Sequence, residues 1–430
     1  MRSAKPSKNF SMPPSSFIPL RACRWLALIL ALVLSARGTV RGAVFEKVHD
    51  AFSLSDSRDR FHFQLSGLAD LETYFIDQPA PALIFSSRNF LLNPRLRLFL
   101  DAEIGANIYI FAQTRVDRGF DPGDDGAQIR LDEYFLRYSP AKNVNFQIGQ
   151  FATVVGNWVA RHDSWQNPFI NAPLPYENLT GIWDTWVPED TDELLEWGHV
   201  GKYDNGDYSD KYLRNPIIWG PSYASGIALS GSCGRFDYAA EMKNAALASR
   251  PESWNITQVG LEHPTFSGRA GFRPNEMWNL GLSTSAGPYL LSDAADALPP
   301  GRGIGDYREL VLAQDLSFAW HHLQLWAEFY EARFEVPRIG NADTFSYYFE
   351  AKYKITPQLF GALRWNQQLF GTIRNEDDRA KWGNDIWRID AALGYRFTDY
   401  LQGKLQYSFS RQETLRNGEN LVAAQVTVKF

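Results

Sequence analysis

Four arginines in the first third of the chain, Arg95, Arg97, Arg115 and Arg130, fall on the same face of successive predicted strands. A ladder of such cations opposite acidic residues would focus a transverse electric field on ions that pass between them. Ordinary solvated side chains remain the simpler explanation for any single arginine, and facing acids could neutralise the set. These acids are Asp70, Glu72, Asp101 and Asp132. The sequence therefore leaves the sign of any charge selectivity open.

Catalytic chemistry has weaker support. The best available bases are His62, His162 and the adjacent pair His321 and His322, and none of them sits in a Ser-containing motif. Catalysis by a nucleophile requires a base within hydrogen-bond reach of it. His321 and His322 lie in a predicted tight turn, where a solvated pair is simpler than a metal site. We expect no enzymatic activity, no cofactor and no metal site.

The arginines belong to segments in which apolar side chains occupy every second position, a period that indicates β-strands. In the first segment Phe61, Phe63 and Leu65 alternate with His62 and Gln64. One face of such a strand is suited to hydrocarbon and the other to water. A strand of a soluble sandwich would usually end sooner.

Sixteen segments of this kind are predicted. They span residues 61–75, 95–104, 106–116, 128–138, 143–151, 223–231, 235–244, 265–273, 279–287, 308–319, 323–334, 345–356, 359–369, 386–397, 401–411 and 421–430. Tight turns such as 139–142 and 320–322 alternate with longer loops such as 117–127 and 372–385. Short turns on one side and long loops on the other are typical of outer-membrane barrels.

A membrane-spanning sheet has to close on itself, because every N–H and C=O group in hydrocarbon needs a partner and closure removes the open edges. The last predicted strand is suited to this, since Val422, Val426 and Val428 alternate with Gln425 and Thr427. We therefore expect an all-β fold: a transmembrane antiparallel β-barrel of about sixteen strands at residues 59–430, in contact with outer-membrane lipid.

The N-terminus has the layout of a secretory signal peptide. Arg21 and Arg24 precede an apolar run at 25–34, and small residues follow as far as Ala43. The run is shorter than the roughly 20 residues that a membrane-spanning helix needs. We predict a signal peptide at residues 1–43, with cleavage near Ala43, followed by a periplasmic segment at 44–58.

Charge and cysteine content exclude two further classes of protein. Residues 1–43 carry seven Lys or Arg and no acidic residue, so their removal changes the net charge from -6 to -13. An acidic chain of this kind argues against nucleic acid as a partner. Of the 2 cysteines, Cys23 lies in the predicted signal peptide and only Cys233 remains, which argues against a disulfide-based scaffold.

The interruption at residues 152–222, after the fifth predicted strand, is far longer than any other connection. Loops of that size within a compact domain are usually functional. We predict that this loop folds inward and narrows the barrel, although an external cap or a contact between subunits stays open. Its candidate pore-lining residues are Arg161, His162, Asn167, Tyr176 and Glu177, in addition to the four arginines on the strands.

Two stretches around this loop carry a more specific resemblance. LDEYFLRYSP at 131–140 and NFQIGQFATVVGNW at 145–158 resemble outer-membrane porins of the phosphate-selective (O and P type) superfamily. In that group a Gly-x-Phe strand end leads through a Gly turn into the constriction loop. Gly149, Phe151 and Gly156 match this pattern, whereas residues 154–155 are Val-Val in place of the family's Pro-Phe.

The resemblance implies a homotrimer in the bacterial outer membrane that lets small hydrophilic solutes or ions diffuse passively through its lumen. The C-terminal Phe430 also resembles the terminal signature by which outer-membrane proteins are recognised for assembly.

Other functions stay open. A channel specific for oligosaccharides or for phosphate-type solutes is the main alternative, with a barrel enzyme and a structural or adhesive barrel after it. Five loop tryptophans could provide a stacking track for sugar rings, although simple packing would also explain them: Trp158, Trp165, Trp183, Trp186 and Trp197. Transporters of 22 strands carry a plug, and residues 44–60 are too few for one.

Overall fold

The computed structural model describes residues 52–56, 60–78, 80–86, 88–117, 128–199, 211–375, 378–413 and 418–430. The predicted signal peptide at 1–43 and the start of the segment after it lie outside the described residues. Most of the predicted loop at 117–127 also lies outside them.

Sixteen long strands form the wall of the described part. They are β1 (Phe61–Ile76), β2 (Phe90–Ile104), β3 (Ile108–Asp117), β4 (Gln128–Ala141), β5 (Val144–Gln150), β6 (Ser225–Cys233), β7 (Phe236–Lys243), β8 (Thr265–Phe272), β9 (Trp278–Pro288), β10 (Arg308–Trp320), β11 (Leu323–Val336), β12 (Gly340–Lys354), β13 (Leu359–Phe370), β14 (Ile386–Arg396), β15 (Leu401–Gln412) and β16 (Glu419–Lys429). The predicted barrel of about sixteen strands is confirmed.

The sheet closes because each of these strands pairs antiparallel with two neighbours. The closing pair joins β16 to β1, with Leu421 opposite Ile76. Beyond the end of β16 the free edge of β1 is covered by Ser53–Ser55, which pair with the first residues of β1. Three residues of the segment predicted at 44–58 thus extend the sheet.

The two faces of the sheet carry opposite kinds of side chain. On β12 the polar residues Thr344, Ser346 and Glu350 are buried, whereas Phe349 and Tyr353 are about half exposed. A water-soluble protein would bury its aromatic residues instead. Polar side chains inside and apolar side chains outside are the pattern of a barrel surrounded by lipid.

Aromatic side chains mark both ends of the outer face. Short connections such as residues 105–107 leave one end of the barrel, here called the short-turn end, and longer ones leave the long-loop end. Toward the long-loop end, Trp365 and Trp387 stack with centroids 5.4 Å apart. Toward the short-turn end, Tyr395 and Phe397 pack at 4.9 Å. Such girdles lie at the two interfaces of a membrane.

Small elements complete the described part. The connection between β5 and β6, residues 151–224, includes α1 (Thr191–His199), and a two-stranded ribbon of Thr372–Asn375 and Asp378–Lys381 lies beyond β13. None of the helices within the described ranges has both the length and the apolar character to cross a membrane.

Candidate functional site: a loop held inside the barrel

Two glycines set the direction in which the chain leaves β5. Gly149 and Gly156 have φ angles of +141° and +80°, which residues with a side chain rarely adopt. A Cβ atom on Gly149 would press against the backbone of Phe135, and one on Gly156 would press against the hydroxyl groups of Tyr176 and Tyr330. Glycine at both positions lets the chain turn closely against the wall.

A carboxylate on the inner face of β11 fixes the start of the connection. Glu328 accepts hydrogen bonds from the backbone N–H groups of Asn157 and Trp158, the latter at 2.8 Å. The hydroxyls of Tyr176 and Tyr330 also donate to it, at 2.8 and 3.0 Å. β11 lies several strands from β5 around the ring, so the segment runs through the interior. We call the described residues of this connection, 151–199 and 211–224, the inner loop.

Arg161 ties the inner loop to β12. Its guanidinium pairs with the buried carboxylate of Glu350, donates to the Tyr348 hydroxyl at 3.1 Å and lies 4.3 Å from the ring centroid of Trp326. Burial alone would lower the pKa of Arg161, but Glu350 raises it above its ordinary value. The side chain therefore stays charged while it is enclosed between loop and wall.

Glu177 ties a later part of the inner loop to β14. Its carboxylate pairs with Arg388 and accepts from the Asn171 amide at 3.3 Å and the Ala172 N–H at 3.1 Å. Burial raises the pKa of Glu177, although Arg388 opposes this shift. Arg388 also pairs with Asp390 at 3.0 Å, so it is held between a loop carboxylate and a wall carboxylate.

Lys404, on β15, binds backbone carbonyl groups in the middle of the inner loop. Its ammonium group donates to the carbonyl oxygens of Ser164, Asn167 and Phe169 at 2.8, 3.0 and 2.9 Å. The side-chain oxygen of Asn167 accepts from the Phe169 N–H at 3.1 Å. Asn167 thus shapes the loop, and its side chain is buried.

The inner loop also contacts β2, which lies across the ring from β11. Arg97 pairs with Asp163 and donates to the Ser164 hydroxyl at 3.1 Å, while His162 lies 2.7 Å from the Tyr223 hydroxyl. Burial lowers the pKa of His162 below its ordinary value. Burial alone would raise the pKa of Asp163, but Arg97 lowers it. At neutral pH His162 is therefore uncharged and Asp163 is ionised.

The other three predicted arginines lie beside the inner loop in a ladder of alternating charge on β1 to β4. The ion pairs are Arg95 with Glu72 at 3.2 Å and Asp117 at 3.3 Å, Arg115 with Asp117 at 3.2 Å and Asp132 at 3.0 Å, and Arg130 with Asp132 at 3.2 Å. Asp101 instead accepts a hydrogen bond from Tyr109, nearer the short-turn end. Acids thus balance the cations of this wall.

All nine residues singled out from the sequence lie on the inner face of the wall or on the inner loop. The structure does not join them into one ring, because Arg161 and Glu177 face β12 and β14, whereas Arg95, Arg115 and Arg130 line the wall near β1. Sequence reasoning missed the wall residues that hold the inner loop. These include Glu328, Glu350, Arg364, Arg388 and Lys404.

The five loop tryptophans fall into separate groups instead of one track. Trp183 stacks on Trp197 at 5.0 Å and meets Trp186 edge-on at 6.2 Å. Trp158 packs against the buried Tyr176 at 4.6 Å, and Trp165 lies near cationic side chains of the wall. Packing against Tyr176 explains the one buried member of the set, Trp158.

The sequence matches no known family model, and it matches no curated protein. The fold is similar to that of Vibrio cholerae OmpT, an outer membrane protein in trimer form, with a TM-score of 0.55 and 9% identity over 86% of this chain and 100% of that one. An anion-selective porin from Comamonas acidovorans is also similar, with a TM-score of 0.53 and 11% identity over 86% of this chain and 100% of that one. The outer membrane channel DcaP of Acinetobacter baumannii has a TM-score of 0.53 and 11% identity over 88% of this chain and 99% of that one. The shared feature is the fold of outer-membrane porins and channels.

Proposed function

We propose that this chain is a porin of the bacterial outer membrane, a passive diffusion channel for small hydrophilic solutes or ions. The observation that carries the proposal is a closed barrel with a polar interior and an apolar exterior, crossed inside by a loop that is tied to opposite walls. Fixed charges along such a passage act on ions at short range. The arrangement fits transport better than catalysis.

The passage proposed here runs between the inner loop and the ladder on β1 to β4. Its proposed lining residues are Arg95, Arg97, Arg115, Arg130, Arg161, His162, Asn167, Tyr176 and Glu177. The ladder side chains keep part of their surface exposed, whereas Arg161, Asn167, Tyr176 and Glu177 are buried. The ladder would therefore meet solutes directly, and the buried residues would act through the position and charge of the loop.

Recording from planar bilayers tests the proposal. Purified, refolded chain should give discrete conductance steps, and a salt gradient across the bilayer should give a reversal potential that reports ion preference. A correctly folded barrel that stays electrically silent in repeated insertions would count against channel function and would favour a structural barrel.

We propose further that the inner loop sets the bore. Deletion of residues 168–205 should raise single-channel conductance, because this part includes Glu177 and its contacts with the β14 wall. Assembly should persist, since those of the deleted residues that the structure describes, 168–199, belong to none of the sixteen strands. An assembled deletion variant with unchanged conductance would mean that the loop does not limit flow.

Membership of the phosphate-selective superfamily is a narrower proposal that rests on residues 131–158. The two positive-φ glycines and Phe151 fit its loop-entry pattern. The acids of the arginine ladder weaken the case for strong anion preference, since each arginine has a carboxylate within 4 Å. A reversal potential near zero in a salt gradient would support a general porin. A reversal potential that indicates strong anion preference would support membership of the phosphate-selective superfamily.

A homotrimer is also proposed, on the basis of the resemblance and of the trimer form of one structural neighbour. Cross-linking in the native outer membrane should give a species of three times the monomer mass. A monomer as the largest cross-linked species would contradict this assignment.

A further inference from the structure

The inner wall near the short-turn end contains a recess that the inner loop does not fill. It has a volume of about 590 Å³ and lies on β2 to β5, between the turn at residues 105–107 and the start of the inner loop. Side chains that face it include Glu103, Tyr109, Phe111 and Arg137. Its size is within the range of about 300 to 1,000 Å³ that is usual for small-molecule sites.

The floor of the recess is aromatic. Phe111 lies 5.5 Å from Phe135, 6.4 Å from Tyr109 and 6.3 Å from Phe99, between ring centroids. Phe111, Tyr109 and Phe99 are only partly buried. Partly exposed rings that touch one another form a contiguous apolar patch, and a patch of this kind on a polar-lined passage indicates a binding surface.

The rim of the recess is charged, with an excess of acids. The Glu133 carboxylate accepts from the Ala152 N–H at 3.2 Å, and Glu103 makes no ion pair or side-chain hydrogen bond among the described residues. Arg137 lies over the Phe135 ring at 5.1 Å and is held by the Gln147 amide oxygen at 2.9 Å. Carboxylates accept strong hydrogen bonds from hydroxyl groups.

We propose that this recess is a binding site for the pyranose rings of a carbohydrate that passes through the lumen. The C–H face of a pyranose would lie on Phe111, since Arg137 already lies over the Tyr109 ring at 5.6 Å. Its hydroxyl groups would donate to Glu103 and Glu133 at the rim. Arg137 would donate to sugar oxygens. The inference rests on the proposed channel, since it names a class of solute that the channel holds on its way through.

Current block by maltohexaose in a planar bilayer tests the site. Phe111→Ala removes the stacking face, Glu103→Gln removes one acidic acceptor, and Ile110→Ala, at the outward-facing neighbour on β3, is the matched control. Loss of a stacked ring should raise the half-blocking concentration by about tenfold or more. Glu103→Gln should raise it several-fold, and Ile110→Ala should leave it unchanged.

Three results would overturn the proposal: a conducting wild-type channel that maltohexaose does not block, equal block in Phe111→Ala, or block by the planar aromatic cation tryptamine at lower concentration than the sugar.

A silent bilayer would count against the channel alone. In that case calorimetric titration of the detergent-solubilised chain with maltohexaose decides the site. Heat of binding that is lost in Phe111→Ala supports the site, and absence of heat in the wild type overturns it.

Discussion

Single residues inside the barrel act as members of pairs. Arg161 with Glu350 and Glu177 with Arg388 each join the inner loop to the wall, and all four side chains are buried. Each pair also has a further counter-ion on the wall, since Arg364 lies 3.7 Å from Glu350 and Asp390 lies 3.0 Å from Arg388. The electrostatic effect of a substitution is therefore set by the charges that remain in the cluster.

Neutralisation of the two loop charges should shift ion preference in opposite directions. Arg161→Gln removes one positive charge from the cluster around Glu350 and should raise the cation-to-anion permeability ratio, whereas Glu177→Gln removes one negative charge from the cluster around Arg388 and should lower it. We expect changes of about twofold, because charges in a narrow pore are weakly screened. Reversal potentials in a potassium chloride gradient measure both.

The double variant Arg161→Gln with Glu177→Gln is the control for these two changes, and it should return toward the wild-type ratio. Shifts of the same sign in both single variants would mean that conformational change, and not local charge, governs selectivity.

A buried carboxyl in the inner loop gives a pH-dependent prediction. Burial raises the pKa of Asp184 to about 6, against the opposing effect of Arg250 at 2.8 Å. Because the folded-state pKa exceeds the unfolded value of about 3.9, the folded state takes up a proton as the pH falls from 7 to 5. Asp184 should therefore contribute more stability at pH 5 than at pH 7.

The comparison with Asp184→Asn isolates this contribution. The difference in free energy of unfolding between wild type and variant should move in favour of the wild type by about 1 kcal/mol as the pH falls from 7 to 5. Thermal unfolding in detergent at pH 5, 6 and 7 measures it. A difference that is constant, or that moves the other way, would show that the pKa of Asp184 is not raised.

At the scale of elements, one wall strand controls where the inner loop lies. Glu328→Ala on β11 would leave the N–H groups of Asn157 and Trp158 without their carboxylate, at a cost of about 1–3 kcal/mol for each buried group. The start of the inner loop should then open more often. We expect faster limited proteolysis within residues 152–165 and noisier single-channel currents, with the barrel intact.

Glu331→Ala is the matched control for this change. Glu331 lies three residues further along β11, is exposed on the outward-facing side and makes no ion pair within the described ranges. Equal proteolysis in the two variants would mean that Glu328 does not anchor the inner loop.

Strand prediction from the sequence succeeded where alternation was clean and was inaccurate where it was interrupted. The predicted second strand began at residue 95, but β2 begins at Phe90. The prediction started too late because Phe90, Leu91 and Leu92 form a continuous apolar run, which Pro94 follows. Continuous runs carry no period-two signal. The predicted twelfth strand began at residue 345, but β12 begins at Gly340, directly after a tight hairpin turn.

The candidate site was predictable only in part, for a geometric reason. Alternation shows which side chains of a strand face inward, and so it placed Arg97 and Arg115 correctly on the inner wall. It gives no information on which distant strands lie opposite the inner loop once the barrel closes. The contacts of Glu328 and Lys404 with that loop join residues more than 150 positions apart and follow from closure.

At the scale of the whole molecule, stability depends on a distribution of residues that is inverted relative to a soluble protein. Large apolar side chains such as Leu363, Ile389 and Leu393 are exposed on the outer face, while Arg364, Asp390 and Lys404 are buried inside. In water the apolar outer face would be a large unfavourable surface. In hydrocarbon the same apolar surface is favourable. The assignment of faces can therefore be tested by placing a charge on the outer face.

Leu393→Arg places a charge on the lipid-facing side of β14, where the leucine is 48% exposed. A charged side chain near the bilayer midplane costs about 2–4 kcal/mol and less toward either interface, so we expect destabilisation on the order of 2 kcal/mol. Leu393→Ala, which removes the same side chain without adding a charge, should cost much less because its methyl group still faces hydrocarbon. Urea unfolding of the chain refolded into phospholipid vesicles measures both. If Leu393→Arg were no more destabilising than Leu393→Ala, this face of β14 would not be in contact with lipid, and it would have to be covered by protein or by water.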